Sequence, residues 1–374
     1  MIIYWSMILW VFLIYLVYSM THKEEIKLTD YNIQQGIQKK IPLVYAVLVF
    51  GYFIFWIGMR GYVADTSQYI SDFEFFSSDF STAWSEIGWN SKSPGFDVFN
   101  VFFKCFISQD YQWWLMTIAI ICGICILITL RKYSVDFFLS CFLFITLSNF
   151  FWMMNGMRQF ICVAILFLCF DWIKEGKLVK FIIAVLILST FHLTALLMIP
   201  IYFVARCKPW SGKIGLFIVA IIFICIFAEP FFASVENVLS DTAYAGSTSQ
   251  FAEDDGVNPL RVLLYVVPPI VAFLKRAELE KYYEKDSMIS ICINMSLATA
   301  ALYLVGMFTS GILIGRLPIY SELYDLILVP FLLHTCVSKE MRKIVQPVVI
   351  VVLLLYFYLT GPTYYHSTFT GDVY

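Results

Sequence analysis

LVKFIIAVLILSTFHLTALLMIPIYFVA, residues 178–205, reads either as one overlong apolar helix or as two short ones, and every later loop changes sides with the choice. As one helix it would run about 42 Å at 1.5 Å per residue, well past the roughly 30 Å of a bilayer core. It would also put Arg206, Lys208 and Lys213 outside and invert the elements that follow, until Lys275 and Arg276 stood on the wrong side of their span. As a hairpin turning at Phe191-His192, it leaves every later loop obeying the rule that lysine and arginine stay cytoplasmic. Each arm then rises only about 20 Å, so His192 should lie below the outer surface, inside the protein. Two short tilted spans in a thinned bilayer would bring His192 nearer the interface without changing its side.

The rest of the chain supports a membrane setting. Of 374 residues, 60% are hydrophobic and 14% charged, against roughly 45–50% and about 25% in soluble domains. The apolar residues fall into blocks at 2–20, 42–59, 112–130, 135–153, 158–173, 178–191, 193–205, 214–229, 260–274, 288–306, 319–336 and 344–360, which predicts about twelve crossings. The expected fold is an all-α, polytopic transmembrane helical bundle forming a single membrane domain over 1–374, with no nucleic acid as partner. The block Ile2–Met20 exceeds a signal-peptide core, lacks a basic segment before it and is followed by His22, Lys23 and Lys27, so it reads as a retained helix entering from outside. The ten cysteines lie mostly in apolar blocks. Cys122 and Cys125 form a C-x-x-C without a second pair or nearby histidines, which is a packing signal rather than a redox or metal one.

Two outer segments are long. Residues 61–111 carry Asp65, Asp72, Glu74, Asp79, Glu86, Asp97 and Asp110 among many aromatics, and the pattern predicts interfacial helices at 66–76 and 96–106. Residues 231–259 contain no lysine or arginine and read as an outer loop, either a mobile flap or a loose connection, with the loose connection favoured. No internal repeat is visible.

In this topology every lysine except Lys92 and Lys104 faces the cytoplasm, but the arginines divide. Arg131, Arg206, Arg276 and Arg342 are inside, whereas Arg60, Arg158, Arg261 and Arg316 stand at the outer ends of apolar spans. Arginine there suits a planar partner such as phosphate or carboxylate, which makes these four the candidates for an anion site. The competing reading pairs each with a nearby acid, Arg60 with Asp65 for example, or with lipid headgroups. Asn155-Gly156-Met157-Arg158-Gln159 fills a very short outer connection, so Arg158 must begin the next helix, whose amides also favour anions. Gly311 and Gly315 before Arg316, with Pro318 after it, predict a close backbone approach or an interrupted helix.

His192, between Thr190 and Thr194, could be a hydrogen-bonded structural residue. Its place on the arginine side also suits a base that accepts a hydroxyl proton. Asp65 is a second candidate base. Glu86, in the aromatic run Ala83–Trp89, could bind sugar hydroxyls, while the ordinary interfacial belt also accounts for the aromatics. There is no Gly-rich phosphate loop, no H-E-x-x-H and no D-x-D in context, so nucleotide sugars and zinc chemistry have no support. No cofactor or metal is expected.

Four motifs are familiar as a set: Arg60-Gly61-Tyr62-x-x-Asp65-Thr66-x-x-Tyr69-x-x-x-Phe73, Pro94-Gly95-Phe96-x-x-x-Asn100, Asn155-x-x-Arg158-Gln159 and Phe191-His192. Their order and spacing resemble the EpsG-like family of bacterial exopolysaccharide membrane proteins, related to the Wzy-type polymerases. The likeness covers about the first two hundred residues, and the C-terminal half adds only Arg316 before a tyrosine-containing span. An acid commonly precedes Pro-Gly-Phe in this pattern; here Ser93 does, and whether Glu86 replaces that acid is left open.

The resemblance implies polymerisation of undecaprenyl-diphosphate-linked oligosaccharide repeat units at the outer face of the bacterial cytoplasmic membrane. A polysaccharide co-polymerase that regulates chain length and a flippase are the implied partners. On that reading Arg158 and Arg316, with Arg60 and Arg261, hold the diphosphate, and His192 or Asp65 takes the acceptor proton. Glu86, Tyr69, Gln159 and Asn155 contact sugar. The alternatives are a transporter or flippase of lipid-linked saccharides, which should show an inverted repeat and midplane charges, a noncatalytic subunit of a synthase complex, and an acyltransferase.

Overall fold

A computed structural model describes residues 2–23, 40–227, 256–283, 286–309, 311, 314–367 and 369–373. The chain divides into two compact units, one of residues 1–89, 93–168 and 333–374, the other of residues 90–92 and 169–332. Most of the outer segment expected at 231–259 falls outside the described residues.

Unit 1 begins with α1 (Ile2–Thr21) and α2 (Leu43–Gly58), which are apolar and uncharged throughout. The segment after α2 folds into α3 (Thr66–Phe75), α4 (Phe80–Ser85) and α5 (Pro94–Phe106). Helices expected from sequence at 66–76 and 96–106 are present as α3 and α5. Between them, α4 is started by Asp79, whose carboxylate accepts from the Thr82 amide at 2.9 Å. Pro94 opens α5, with Asp97 in its first turn and Lys104 in its last, an arrangement that suits the helix dipole. One side of this group buries Phe76, Ala83, Ile87 and Val101, and the other exposes Phe80, Trp84, Phe102 and Phe106.

Next come α6 (Tyr111–Tyr133), α7 (Phe137–Thr146), a 3₁₀ turn at Asn149–Met153 and α8 (Met157–Leu168). Glycines bring α2 and α6 together. A side chain at Gly58 would collide with Met116, and one at Gly123 would collide with Ile54, so small residues set this helix approach.

Unit 2 contains α9 (Phe170–Lys174), α10 (Leu178–Ser189), a 3₁₀ turn at Leu193–Leu197 running into α11 (Met198–Ala205), and α12 (Gly212–Ile226). The stretch 178–205 is a hairpin. His192 is extended, with φ −155° and ψ 119°, and the Phe181 and Tyr202 rings from opposite ends of the two arms meet at 5.2 Å. Then follow α13 (Pro259–Leu274), α14 (Arg276–Tyr283), α15 (Ser287–Met307), a 3₁₀ turn at Ile314–Arg316, α16 (Ile319–Glu322) and α17 (Asp325–Thr335). Most of α15 is buried, and its Tyr303 ring lies 4.9 Å from Tyr265 of α13.

The chain returns to unit 1 through α18 (Lys339–Thr360) and ends in a two-stranded antiparallel hairpin, β1 (Tyr365–Ser367) with β2 (Gly371–Val373). Gly371 has φ +66°, a conformation that glycine adopts without strain.

Helix lies under every apolar block, but the lengths are uneven. Among the described residues four helices, α1, α6, α15 and α18, are long and apolar enough to cross a membrane, and the pair Ile314–Glu322 and Asp325–Thr335, bent by 56°, makes a fifth if taken as one span. Seven more apolar helices have 10–17 residues. Helix length by itself thus gives four or five candidate spans among the described residues and does not confirm the predicted twelve, because hydropathy blocks include capping turns and 3₁₀ segments that shorten the α-helix itself.

Candidate functional site

In unit 1, Arg60 follows directly on α2 and is 0% exposed. Its Nε donates to Thr66 Oγ1 at 3.1 Å, its Nη1 to the Ile57 carbonyl at 2.6 Å, and its Nη2 contacts Met157 Sδ. Burial pushes the guanidinium down to about 10, with the Tyr365 phenol opposing that shift, so it stays charged at neutral pH. Arg60 joins the end of α2, the start of α3 and the start of α8. The acid pairing considered from sequence is not what holds it: Thr66 is its side-chain oxygen partner, and Asp65 is exposed at the N-cap of α3 without a capping bond.

Arg158, in the first turn of α8, is placed differently. It is half-buried, its Cζ lies 5.3 Å over the Tyr69 ring from α3, and its Nη1 donates to Ser93 Oγ at 2.7 Å. Its Nε is buried without a hydrogen-bond partner. Tyr69, 6% exposed, is thus the surface on which the guanidinium rests, and a cation over an aromatic face is worth about 0.5–2 kcal/mol. Ser93 occupies the place before Pro94-Gly95-Phe96 where the resemblance anticipates an acid, and a neutral hydroxyl there leaves the charge of Arg158 uncompensated by Ser93. The structure brings Arg158, Tyr69 and Ser93 together.

The other residues of unit 1 singled out from sequence have their own settings. Asn155 Oδ1 is buried without a partner, in the connection where Gly156 has φ +78°. Gln159 is 3% exposed. Glu86 accepts from the Ser77 amide at 2.8 Å, so its carboxylate closes the turn between α3 and α4. Asn100 fixes α5 against α6 by accepting from Trp114 Nε1 at 3.0 Å. Lys104 donates to the carbonyls of Phe73 and Glu74 at 3.1 and 2.7 Å, which satisfies the end of α3.

His366, which no sequence motif singled out, has a defined place in the structure. The Gly61 amide donates to the His366 carbonyl at 2.7 Å and the Tyr62 amide to His366 Nδ1 at 3.1 Å. Tyr365, fully buried, donates its hydroxyl to the Trp56 carbonyl at 2.6 Å. The terminal hairpin therefore holds the backbone on both sides of Arg60.

In unit 2, His192 Nδ1 lies 2.7 Å from Thr194 Oγ1, which lies 3.1 Å from the Tyr320 hydroxyl. This chain ties the hairpin turn to α16, four residues beyond Arg316. Arg316 is half-buried at the end of its 3₁₀ turn, and Gly315 packs on Gly306, where an added side chain would stand 3.2 Å from the Gly315 amide nitrogen. Both the close approach and the interrupted helix expected there are present. Arg261 is half-buried in the first turn of α13.

Two acids escaped the sequence reading although they lie inside the apolar block 319–336. Glu322 is 1% exposed and accepts from the Tyr303 hydroxyl at 2.6 Å. Asp325 is 1% exposed and neither carboxylate oxygen has a hydrogen-bond partner. Ionisable groups within an apolar span were the available signal.

No curated protein and no solved structure gives a significant match to the chain. Over residues 43–370, from α2 through the tail that braces Arg60, it matches the model of the EpsG family, and the chain belongs to that family.

Proposed function

We propose that this protein is a membrane glycosyltransferase that polymerises undecaprenyl-diphosphate-linked oligosaccharide repeat units at the outer face of the bacterial cytoplasmic membrane, in a topology of about twelve crossings. EpsG family membership supports polysaccharide polymerase-type chemistry. The observation that carries the reading is Arg158, a half-buried guanidinium seated on Tyr69 with its Nε unpaired.

In the reaction an acceptor sugar hydroxyl attacks the anomeric carbon of the growing chain. A new glycosidic bond forms, the bond to the diphosphate breaks, and undecaprenyl diphosphate leaves with the electron pair. Arg158 stabilises the negative charge that develops on the leaving group, and exposed Asp65 of the same unit accepts the hydroxyl proton. Arg60 positions the segment that carries Asp65 and Tyr69. His192, Arg316 and Arg261 belong to unit 2, and each is tested by its own substitution.

Comparing lipid-linked glycan lengths in cells with and without the protein tests this directly. Single repeat units should accumulate in its absence, wild type should restore polymer, and Arg158→Ala should reach the membrane without restoring it. Normal polymer in the deletion would refute the reading.

One observation favours a second reading, a transporter of lipid-linked saccharides: the buried acids Glu322 and Asp325 at a broken helix, a common form for ion-coupled sites. Only the polymerase lengthens saccharide in detergent, where there is no compartment to cross.

A further inference from the structure

A groove of about 900 Å³ opens in unit 2 where the end of α11 meets the start of α12. Its two sides differ in chemistry. Leu178, Tyr202 and Phe203 form an apolar wall, and Phe203 is 54% exposed, so this wall continues onto the outer surface of the helices. The rim is basic: Arg206, Lys208 and Lys213 line it. Two acids stand near that rim: Glu280, 3.2 Å from Lys208, and Glu175, beside the lining Gly176 and paired with Lys177. Arg206 is fixed by donating to the carbonyls of Ile173 and Lys174, which sets its charge at the groove without neutralising it.

The groove also receives the start of α12, a helix of 15 residues whose first-turn amides have no acceptor within the helix. Ser211, its N-cap, makes no side-chain capping bond, and its Oγ is buried without a partner. Cations, free amides and an unpaired hydroxyl at one end of an apolar wall suit an amphiphile with an anionic head. A soluble anion would gain nothing from the apolar wall, whereas basic pockets between helices on the cytoplasmic side recognise lipid headgroups. The lysine pattern assigns this end of the hairpin to the cytoplasmic side.

We propose that this groove binds an anionic phospholipid, with its phosphate among Arg206, Lys208, Lys213 and Ser211 and an acyl chain along Leu178, Tyr202 and Phe203. The site stands apart from the polymerase reading and needs no substrate to be tested. Full-length protein purified in detergent is titrated with phosphatidylglycerol or phosphatidylcholine and bound lipid is read by native mass spectrometry, with inorganic phosphate as competitor. Phosphatidylglycerol should be retained in preference to phosphatidylcholine. Lys213→Gln, at an exposed position, should weaken it about fivefold, and Lys208→Gln with Lys213→Gln roughly 25-fold. Equal retention of the two lipids, or unchanged phosphatidylglycerol binding in both variants, would overturn the proposal. Displacement of the lipid by an equal concentration of inorganic phosphate would overturn the lipid assignment.

Discussion

Arg60 and Arg158 stand in corresponding places, each at one end of an apolar block within a recognisable motif, yet their surroundings separate them. All three nitrogens of the Arg60 guanidinium meet protein partners, the side chain is fully buried, and the terminal hairpin braces its backbone. Arg158 lies on an aromatic face with one neutral hydroxyl partner and an unpaired Nε. Position in the sequence finds both arginines. Packing decides which one holds the fold and which one is available to a ligand.

The contrast predicts different failures. Arg158→Ala should lower polymer by at least about 100-fold, the scale of losing a charge-stabilising donor, with membrane abundance unchanged. Arg158→Lys, which keeps charge but loses the planar fork, should fall between. Polymer and immunoblot assays in complemented cells read both quantities. Arg60→Ala should instead destabilise by about 2–4 kcal/mol, through a cavity and an orphaned Ile57 carbonyl, seen as a lower melting temperature in detergent. A stable Arg60→Ala protein that makes no polymer would place Arg60 beside Arg158 and erase the distinction.

Smaller effects test the tail. A side chain at Gly61 would stand 2.5 Å from His366 Nδ1, so Gly61→Ala should cost about 1–3 kcal/mol. His366→Ala should cost about 1 kcal/mol, and His366→Asn, which retains an acceptor, should recover most of it in the same melting assay. The smallest change is Ser93→Ala. It frees Arg158 Nη1 and should alter polymer yield only severalfold.

The sequence stretch 178–205 was legible because lysine placement in later loops allows only a hairpin, and the Phe181–Tyr202 contact agrees with that. The helices α3 and α5 were legible from local pattern. The brace at Arg60 was not, because Gly61 and His366 are distant in the chain and nothing local in either segment encodes their pairing. The span count of about twelve is not confirmed by helix length. Hydropathy records apolar length, whereas 3₁₀ turns at Asn149–Met153 and Leu193–Leu197 shorten the α-helices beside them. Glu322 and Asp325 were visible as acids in an apolar block and were passed over in favour of the arginines. The Arg158 site was partly legible: the arginine stood out, but its seat on Tyr69 and its bond to Ser93 join three separate motifs.

The most direct test is to incubate detergent-purified protein with lipid-linked repeat units and measure saccharide length. The account predicts that wild type lengthens the saccharide and that an equally stable Arg158→Ala protein leaves it as single units. Lengthening by both, or by neither, would contradict it.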